Sequence, residues 1–154
     1  ENGLNITLAV GYYEYKANST GNENYTAAAE VIYYLNITKA ETTINLTIQP
    51  TYPEIGQQVN FTCSANHNQS TIMLYENNTL LTSGIGNISY NKSYPGEGTY
   101  NITCNISESQ NYTSAANVTE LTIGKKTDTL NLYINGNLNQ NITVNYSTET
   151  NVTG

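Results

Sequence analysis

The 154-residue chain contains no arginine, no tryptophan, one phenylalanine, one methionine and one aspartate, and only 11% of its residues are charged. Five lysines against twelve acids give a formal charge of −7. That balance lacks the basic footprint nucleic acid requires and the polybasic patch that holds proteins to anionic membranes. No apolar run approaches the roughly 20 residues of a membrane-spanning helix. The chain does not open with a basic segment leading into an apolar one, as a signal peptide does. Helical periodicity is missing too. With Asp128 the sole aspartate, Ca²⁺ loops of the Asp-rich kind are not available. The eleven glutamates are scattered and form no spaced pair that could serve as acid and base. Two cysteines and the single His67 are too few for a structural zinc site, and there is no phosphate-loop spacing among the glycines. His67 sits in the polar stretch ANHNQS and is expected to be solvated. The chain is therefore expected not to be an enzyme, with no catalytic residue, no metal and no cofactor.

What the sequence does contain is asparagine, threonine, serine and tyrosine. There are 25 Asn, 33 Ser plus Thr and 14 Tyr, and hydrophobic residues still make up 38%. The apolar positions alternate with period two, the mark of half-buried strands. Ile44, Leu46 and Ile48 share one face of a first strand. Val59, Phe61, Cys63 and Ala65 share a face of a second. Residues 71–83 read as a hairpin turning at Asn77 and Asn78, and residues 86–94 place Ile88 and Tyr90 together. Tyr100, Ile102, Cys104 and Ile106 face one way on the next strand. The last strand is expected to turn Val118 inward, then Leu121 and Ile123, with a bulge between. Six or seven short strands in about 85 residues have the count and spacing of an immunoglobulin-like sandwich.

An internal repeat delimits this unit. NENYTAAAEV (22–31) matches SQNYTSAANV (109–118), and TKAETTINLTI (38–48) matches GKKTDTLNLYI (124–134), at offsets differing by one residue. Tyr13 and Ala17 stand where Tyr100 and Cys104 stand, and ITVNYS (142–147) echoes FTCSAN (61–66). The expected fold class is all-β, built of tandem sandwiches. Residues 1–37 supply late strands of one repeat, residues 38–124 a complete domain, and residues 125–154 the early strands of a third. The short junctions predict stiff end-to-end stacking.

Seventeen Asn-x-Ser/Thr sequons lie along the chain. They begin at Asn5, Asn18, Asn24, Asn36, Asn45, Asn60, Asn68, Asn77, Asn87, Asn91, Asn101, Asn105, Asn111, Asn117, Asn141, Asn145 and Asn151. Random placement of these residue types gives about five, so the excess calls for a cause, and covalent N-linked glycan supplies it. Thirteen of the seventeen have an apolar residue or Tyr in the middle. On a strand that residue enters the core while Asn and Ser/Thr face solvent. Sugar is therefore expected on the outer faces of both sheets. It would also replace the charged residues that normally keep surfaces soluble.

Cys63 and Cys104 fall on the second and sixth strands of the complete repeat, both on inward faces. A structural disulfide and an oxidising compartment fit this placement. Ala17 and Val144 stand at the equivalent places in the flanking copies, so the bridge is expected to reinforce the fold without being required for it. Inward tyrosines are expected to stand in for Phe and Trp.

The stretch from Gly98 to Ile134, GTYNITCNISESQNYTSAANVTELTIGKKTDTLNLYI, resembles the junction between tandem bacterial-type Ig-like repeats of prokaryotic surface proteins. The resemblance is carried by Gly98–Tyr100, Asn111–Tyr112, Ala115–Ala116 and Lys39–Ala40, and IMLYENNTLL (72–81) resembles the hairpin of such repeats. The sequon density and the cysteine pair are more like glycosylated archaeal extracellular filaments and S-layer proteins. That resemblance implies an extracellular, cell-surface location. It also implies identical subunits or adjacent repeats joined head to tail, in some cases by donor-strand complementation. In that arrangement Leu130, Leu132, Ile134, Ile142, Val144 and Tyr146 are the assembly-strand residues that fill a neighbour's core. Two other readings stand beside this one: an adhesin or carbohydrate-binding module that takes surface glycans, and a spacer of a secreted enzyme.

Overall fold

A computed structural model of the chain describes Gly3 and residues 5–154. The described residues contain no helix, and several antiparallel sheets form, none closed into a barrel. The chain divides into two compact units, residues 1–124 and 125–154.

The first unit opens with a two-stranded hairpin, β1 (Gly11–Ser19) against β2 (Ala28–Ile37). A sandwich-like body follows. Its smaller sheet has the order β3-β4-β7, made of β3 (Ile44–Gln49), β4 (Gln58–Ala65) and β7 (Ile88–Ser93). Its larger sheet has the order β6-β5-β8-β9, made of β6 (Thr79–Ile85), β5 (Thr71–Glu76), β8 (Gly98–Ile106) and β9 (Ala115–Ile123).

The alternating residues meet where the period-two pattern puts them. Val59, Phe61 and Cys63 from β4 pack with Ile72 and Leu74 from β5 and with Ile102, Cys104 and Ile106 from β8, all essentially without exposure. Burial of each large apolar side chain contributes about 1.5–3 kcal/mol relative to leaving it in water. The β5–β6 hairpin turns at Asn77 and Asn78, with φ of 47° and 67°. These left-handed values suit a two-residue hairpin turn, and Asn tolerates them better than other side chains. Gly84 lies close to the side chain of Ile88 in β7, since a Cβ there would lie 2.9 Å from Ile88 Cγ2.

Two expectations fail in this unit. Strand β9 pairs with β8 without interruption from Ile106↔Ala115 to Gly98↔Ile123. No bulge interrupts it, Val118 points outward at 57% exposure, and Asn117 takes the inward-facing position. The irregularity lies in the hairpin instead, where Ala17 pairs with Val31 but Ser19 pairs with Ala28. One extra residue in β2 there accounts for the one-residue change of offset between the sequence copies. The second failure is His67, which is buried, not solvated. Its Nε2 lies 3.0 Å from Thr42 Oγ1, its Nδ1 accepts the Gln69 amide at 3.2 Å, and its ring stacks on Tyr112 at 4.0 Å.

The second unit is small. Strand β10 (Tyr133–Ile134) pairs with both β11 (Asn137–Leu138) and β12 (Val152–Thr153), around a turn at Asn135 and Gly136. Asparagine side chains fasten it: Asn139 Oδ1 accepts the Leu132 amide and Asn135 Oδ1 the Asn151 amide, at 2.8 and 2.7 Å. Residues 142–147, read from sequence as a strand, run without regular structure. Each of its three strands is only two residues long.

Candidate functional surface

The described residues hold no group of three or more His, Cys, Asp or Glu, and no helix long and apolar enough to cross a membrane. The features that remain are the asparagine surface, the disulfide, the apolar hairpin and the short strands of the second unit.

Thirteen of the seventeen sequon asparagines are exposed, and Asn60, Asn105, Asn111 and Asn117 are half-buried. Within the sandwich the middle-residue-inward rule holds for Phe61, Ile88, Ile102 and Ile106, all buried. It extends to a charged case. Lys92, in the middle of Asn91–Ser93, lies on the inward face opposite Val59. Its ammonium meets Glu76 Oε1 at 2.6 Å and lies 4.8 Å from the Tyr94 ring centroid. Tyr94, 1% exposed, donates its hydroxyl to Glu76 Oε2 at 2.5 Å. Burial first, and then the hydrogen bond to the Glu76 carboxylate, push the Tyr94 phenol well above its ordinary range. This Glu76–Lys92–Tyr94 cluster seals one end of the core. Only Ile88 and Tyr90 were named on this strand from sequence, and neither Lys92 nor its partner Glu76 was. On the surface, the Lys39 ammonium hydrogen-bonds Glu108 and holds that carboxyl below its ordinary range.

The rule breaks at Asn117. Pointing inward near the edge of β9, its Nδ2 donates to the Ile44 carbonyl of the opposite sheet at 3.4 Å. Asn60 also uses its amide nitrogen, which donates to Ser89 Oγ and Asn91 Oδ1 at 3.0 and 2.7 Å. Asn105, on the outer face between Met73 and Ala116, has a buried Oδ1 without a hydrogen-bond partner.

Cys63 and Cys104 form a disulfide, with Cα atoms 6.2 Å apart, joining β4 of one sheet to β8 of the other. The chain-entropy contribution of such a cross-link, closing a loop of about 40 residues, is about 4 kcal/mol.

Apart from the extra residue in β2, the β1–β2 hairpin matches the β8–β9 hairpin. Gly11 pairs with Ile37 as Gly98 pairs with Ile123. In both, a Cβ added to the glycine would lie 3.3 Å from the ring of the tyrosine two residues on, Tyr13 or Tyr100. The turns match too: Asn22 Oδ1 accepts the amides of Asn24 and Tyr25, as Ser109 Oγ accepts those of Asn111 and Tyr112. The difference lies in what covers them. Tyr15, Val31, Tyr33 and Leu35 share one face of the hairpin and are exposed, Tyr33 at 72%. Of their counterparts in the sandwich, Ile102 and Leu121 are buried against the second sheet and Asn117 is half-buried, while Thr119, in the place of Tyr33, is exposed. The opposite face carries a stacked Tyr12–Tyr34 pair, 5.2 Å between centroids, and a Glu14–Lys16 ion pair. Inward substitution for Phe therefore explains Tyr94 and, in part, Tyr90 and Tyr100, but not the tyrosines of the hairpin.

In the second unit Leu130, Leu132, Val144 and Tyr146 are exposed, while Ile134 and Ile142 are half-buried. Of these six, only Ile134 lies on a strand.

Compared with known proteins, the chain matches no family model, no curated protein sequence and no solved structure.

Proposed function

We propose that the chain is a structural, heavily N-glycosylated repeat unit of a cell-surface filament or rod, built from immunoglobulin-like sandwiches joined head to tail. The observation that carries this reading is the β1–β2 hairpin. From Gly11↔Ile37 to Ala17↔Val31 it has the register of β8–β9, and it shares the glycine–tyrosine packing and the turn, yet Tyr15, Val31 and Leu35 are exposed where Ile102 and Leu121 are buried. Such a face is stable in water only when another sheet covers it. A contact that passes from one copy to the next without closing propagates as a fibre.

Several features support the finer assignment. In an immunoglobulin sandwich the second and sixth strands carry the inter-sheet bridge, and Cys63 and Cys104 hold those places on β4 and β8. The strand order corresponds to A, B and E on one sheet and C′, C, F and G on the other. It differs from the seven-strand arrangement in that the fourth strand, β6, lies beside β5 and not beside β7. An oxidising, extracellular setting agrees with the bridge. The exposed sequons supply the polar surface that the few charged side chains do not. In this role the chain needs no cofactor and no catalytic residue.

Two constructions of the fibre satisfy the hairpin. In one, the covering strands belong to the same continuous polypeptide. In the other they are donated by a second copy, with Leu130, Leu132, Ile134, Ile142, Val144 and Tyr146 entering beside Tyr15, Val31, Tyr33 and Leu35. A denaturing gel of native material separates them: a giant band or ladder marks the covalent array, a single glycosylated monomer the exchanged strands. Material that stays monomeric on a native column and forms no fibres by electron microscopy refutes both. An adhesin reading draws on the exposed tyrosines of the hairpin, and binding of washed cells to a glycan array tests it.

A further inference from the structure

The tripeptide Asn-Tyr-Thr occurs twice, at Asn24–Thr26 and Asn111–Thr113, in turns of the same hydrogen-bonding pattern. Their surroundings differ. Asn24 is exposed, whereas Asn111 lies where the β1–β2 hairpin meets the sandwich. Its Oδ1 accepts the amide of Val10, at the entry to β1, at 3.3 Å. Its Nδ2 donates to Gln69 Oε1, in the connection between β4 and β5, at 3.2 Å. Its carbonyl accepts the Ala40 amide at 2.8 Å, and the Ala40 carbonyl in turn accepts the Thr113 amide at 3.0 Å. Beside it Leu8, Val10, Ile37, Ala40 and Tyr112 line a recess of about 380 Å³, and Tyr112 is held from behind by buried His67. The carboxamide therefore ties the segment before β1 to two loops of the sandwich, and the main-chain carbonyl of the same residue ties in the segment after β2.

The nitrogen of that carboxamide is the atom a glycan would occupy. A sugar there would have to fit between Gln69 and the hairpin and would pull the Oδ1 away from Val10. We propose that Asn111 is a carbohydrate-free latch, fixing a sandwich to the hairpin that precedes it, and that glycosylation distinguishes it from the identical tripeptide at Asn24. The proposal rests on the glycoprotein and repeat readings above. It adds that one sequon type serves two uses, sugar on the free loop and a joint on the docked one.

Glycopeptide mass spectrometry on native material compares the two sites directly. Occupancy at Asn111 is expected to be several-fold lower than at Asn24, and equal occupancy overturns the proposal. Independently, amide hydrogen exchange at Val10 is followed in Asn111→Ala and in Asn24→Ala. Loss of one protein hydrogen bond is expected to speed exchange at Val10 by about tenfold in the first variant, with the second unchanged. An unchanged Val10 rate in Asn111→Ala overturns the latch. A chain bare at every sequon refutes the glycoprotein reading instead, and the latch is then decided by Val10 alone.

Discussion

Replacing the two cysteines with the residues aligned to them in the matching sequence stretches asks whether the bridge makes the fold or only strengthens it. The variant is Cys63→Val with Cys104→Ala, after Val144 and Ala17. Both cysteines are fully buried, and they are 41 residues apart in the chain. Releasing a loop of that length returns about 4 kcal/mol of conformational freedom to the unfolded chain. The change in side-chain volume adds or removes about 1 kcal/mol, since Val fills the site of one sulfur while Ala leaves a small void at the other. Domains of this size are stable by about 5–15 kcal/mol, so the variant is expected to fold, with a reduced margin. Urea unfolding of the unglycosylated chain, followed by circular dichroism, reads the difference. With a denaturant slope of about 1–2 kcal/mol per molar, the midpoint should fall by about 2–4 M. The wild-type chain under reducing conditions should fall by a similar amount. A shift below about 0.5 M would refute the entropic account of the bridge. A variant that never folds would show that the sandwich depends on the bridge.

Phe61→Ala removes the only phenylalanine from the centre of the core and should cost about 3–5 kcal/mol, measured in the same urea assay. Asn105→Val removes a buried carboxamide oxygen that has no partner; in the bare chain it should stabilise by about 1 kcal/mol, and a loss of stability would show that the amide is satisfied after all. In the bare chain an ultraviolet titration should find one of the 14 tyrosines ionising after the rest, and Tyr94→Phe should abolish that lag. The folded phenol titrates above the unfolded one, so the Tyr94 contribution is intact below about pH 10 and is lost as pH rises beyond it. Gly84→Ala presses a methyl group onto Ile88 and should destabilise by about 1–3 kcal/mol, read as a lower melting temperature.

The strands of the sandwich were legible because one face of each is buried, and burial on one face writes period two into the sequence. Phe61, Cys63, Ile102 and Cys104 are the clearest cases. The Asn77–Asn78 turn was legible for a local reason, the tolerance of asparagine for positive φ. Asn117 and Val118 were misplaced because the one-residue change of offset could be absorbed in either hairpin, and pairing register, which alone decides it, is a non-local property. His67 was misread because its neighbours in sequence are polar, while the partners that bury it, Thr42 and Tyr112, are 25 and 45 positions away. Residues 142–147 carry a strand's alternation, but a strand also needs a neighbour, and no described residue pairs with them as a strand. Among the sequons, the tripeptide alone does not separate Asn24 from Asn111, since only the docking of Val10 and Gln69 makes them different.

The extra residue in β2 has a consequence for tolerance of length. It lies near the loop end of the hairpin, between the Ala17↔Val31 and Ser19↔Ala28 pairs, while the other end keeps the Gly11↔Ile37 pairing intact. Insertions and deletions at the loop end are thus taken up before they reach Ile37, from which the chain passes into the sandwich. The hairpin can gain or lose a residue at its tip and still deliver the chain to β3 in the same phase. In a series of such modules, errors of length would remain local and would not accumulate along the axis.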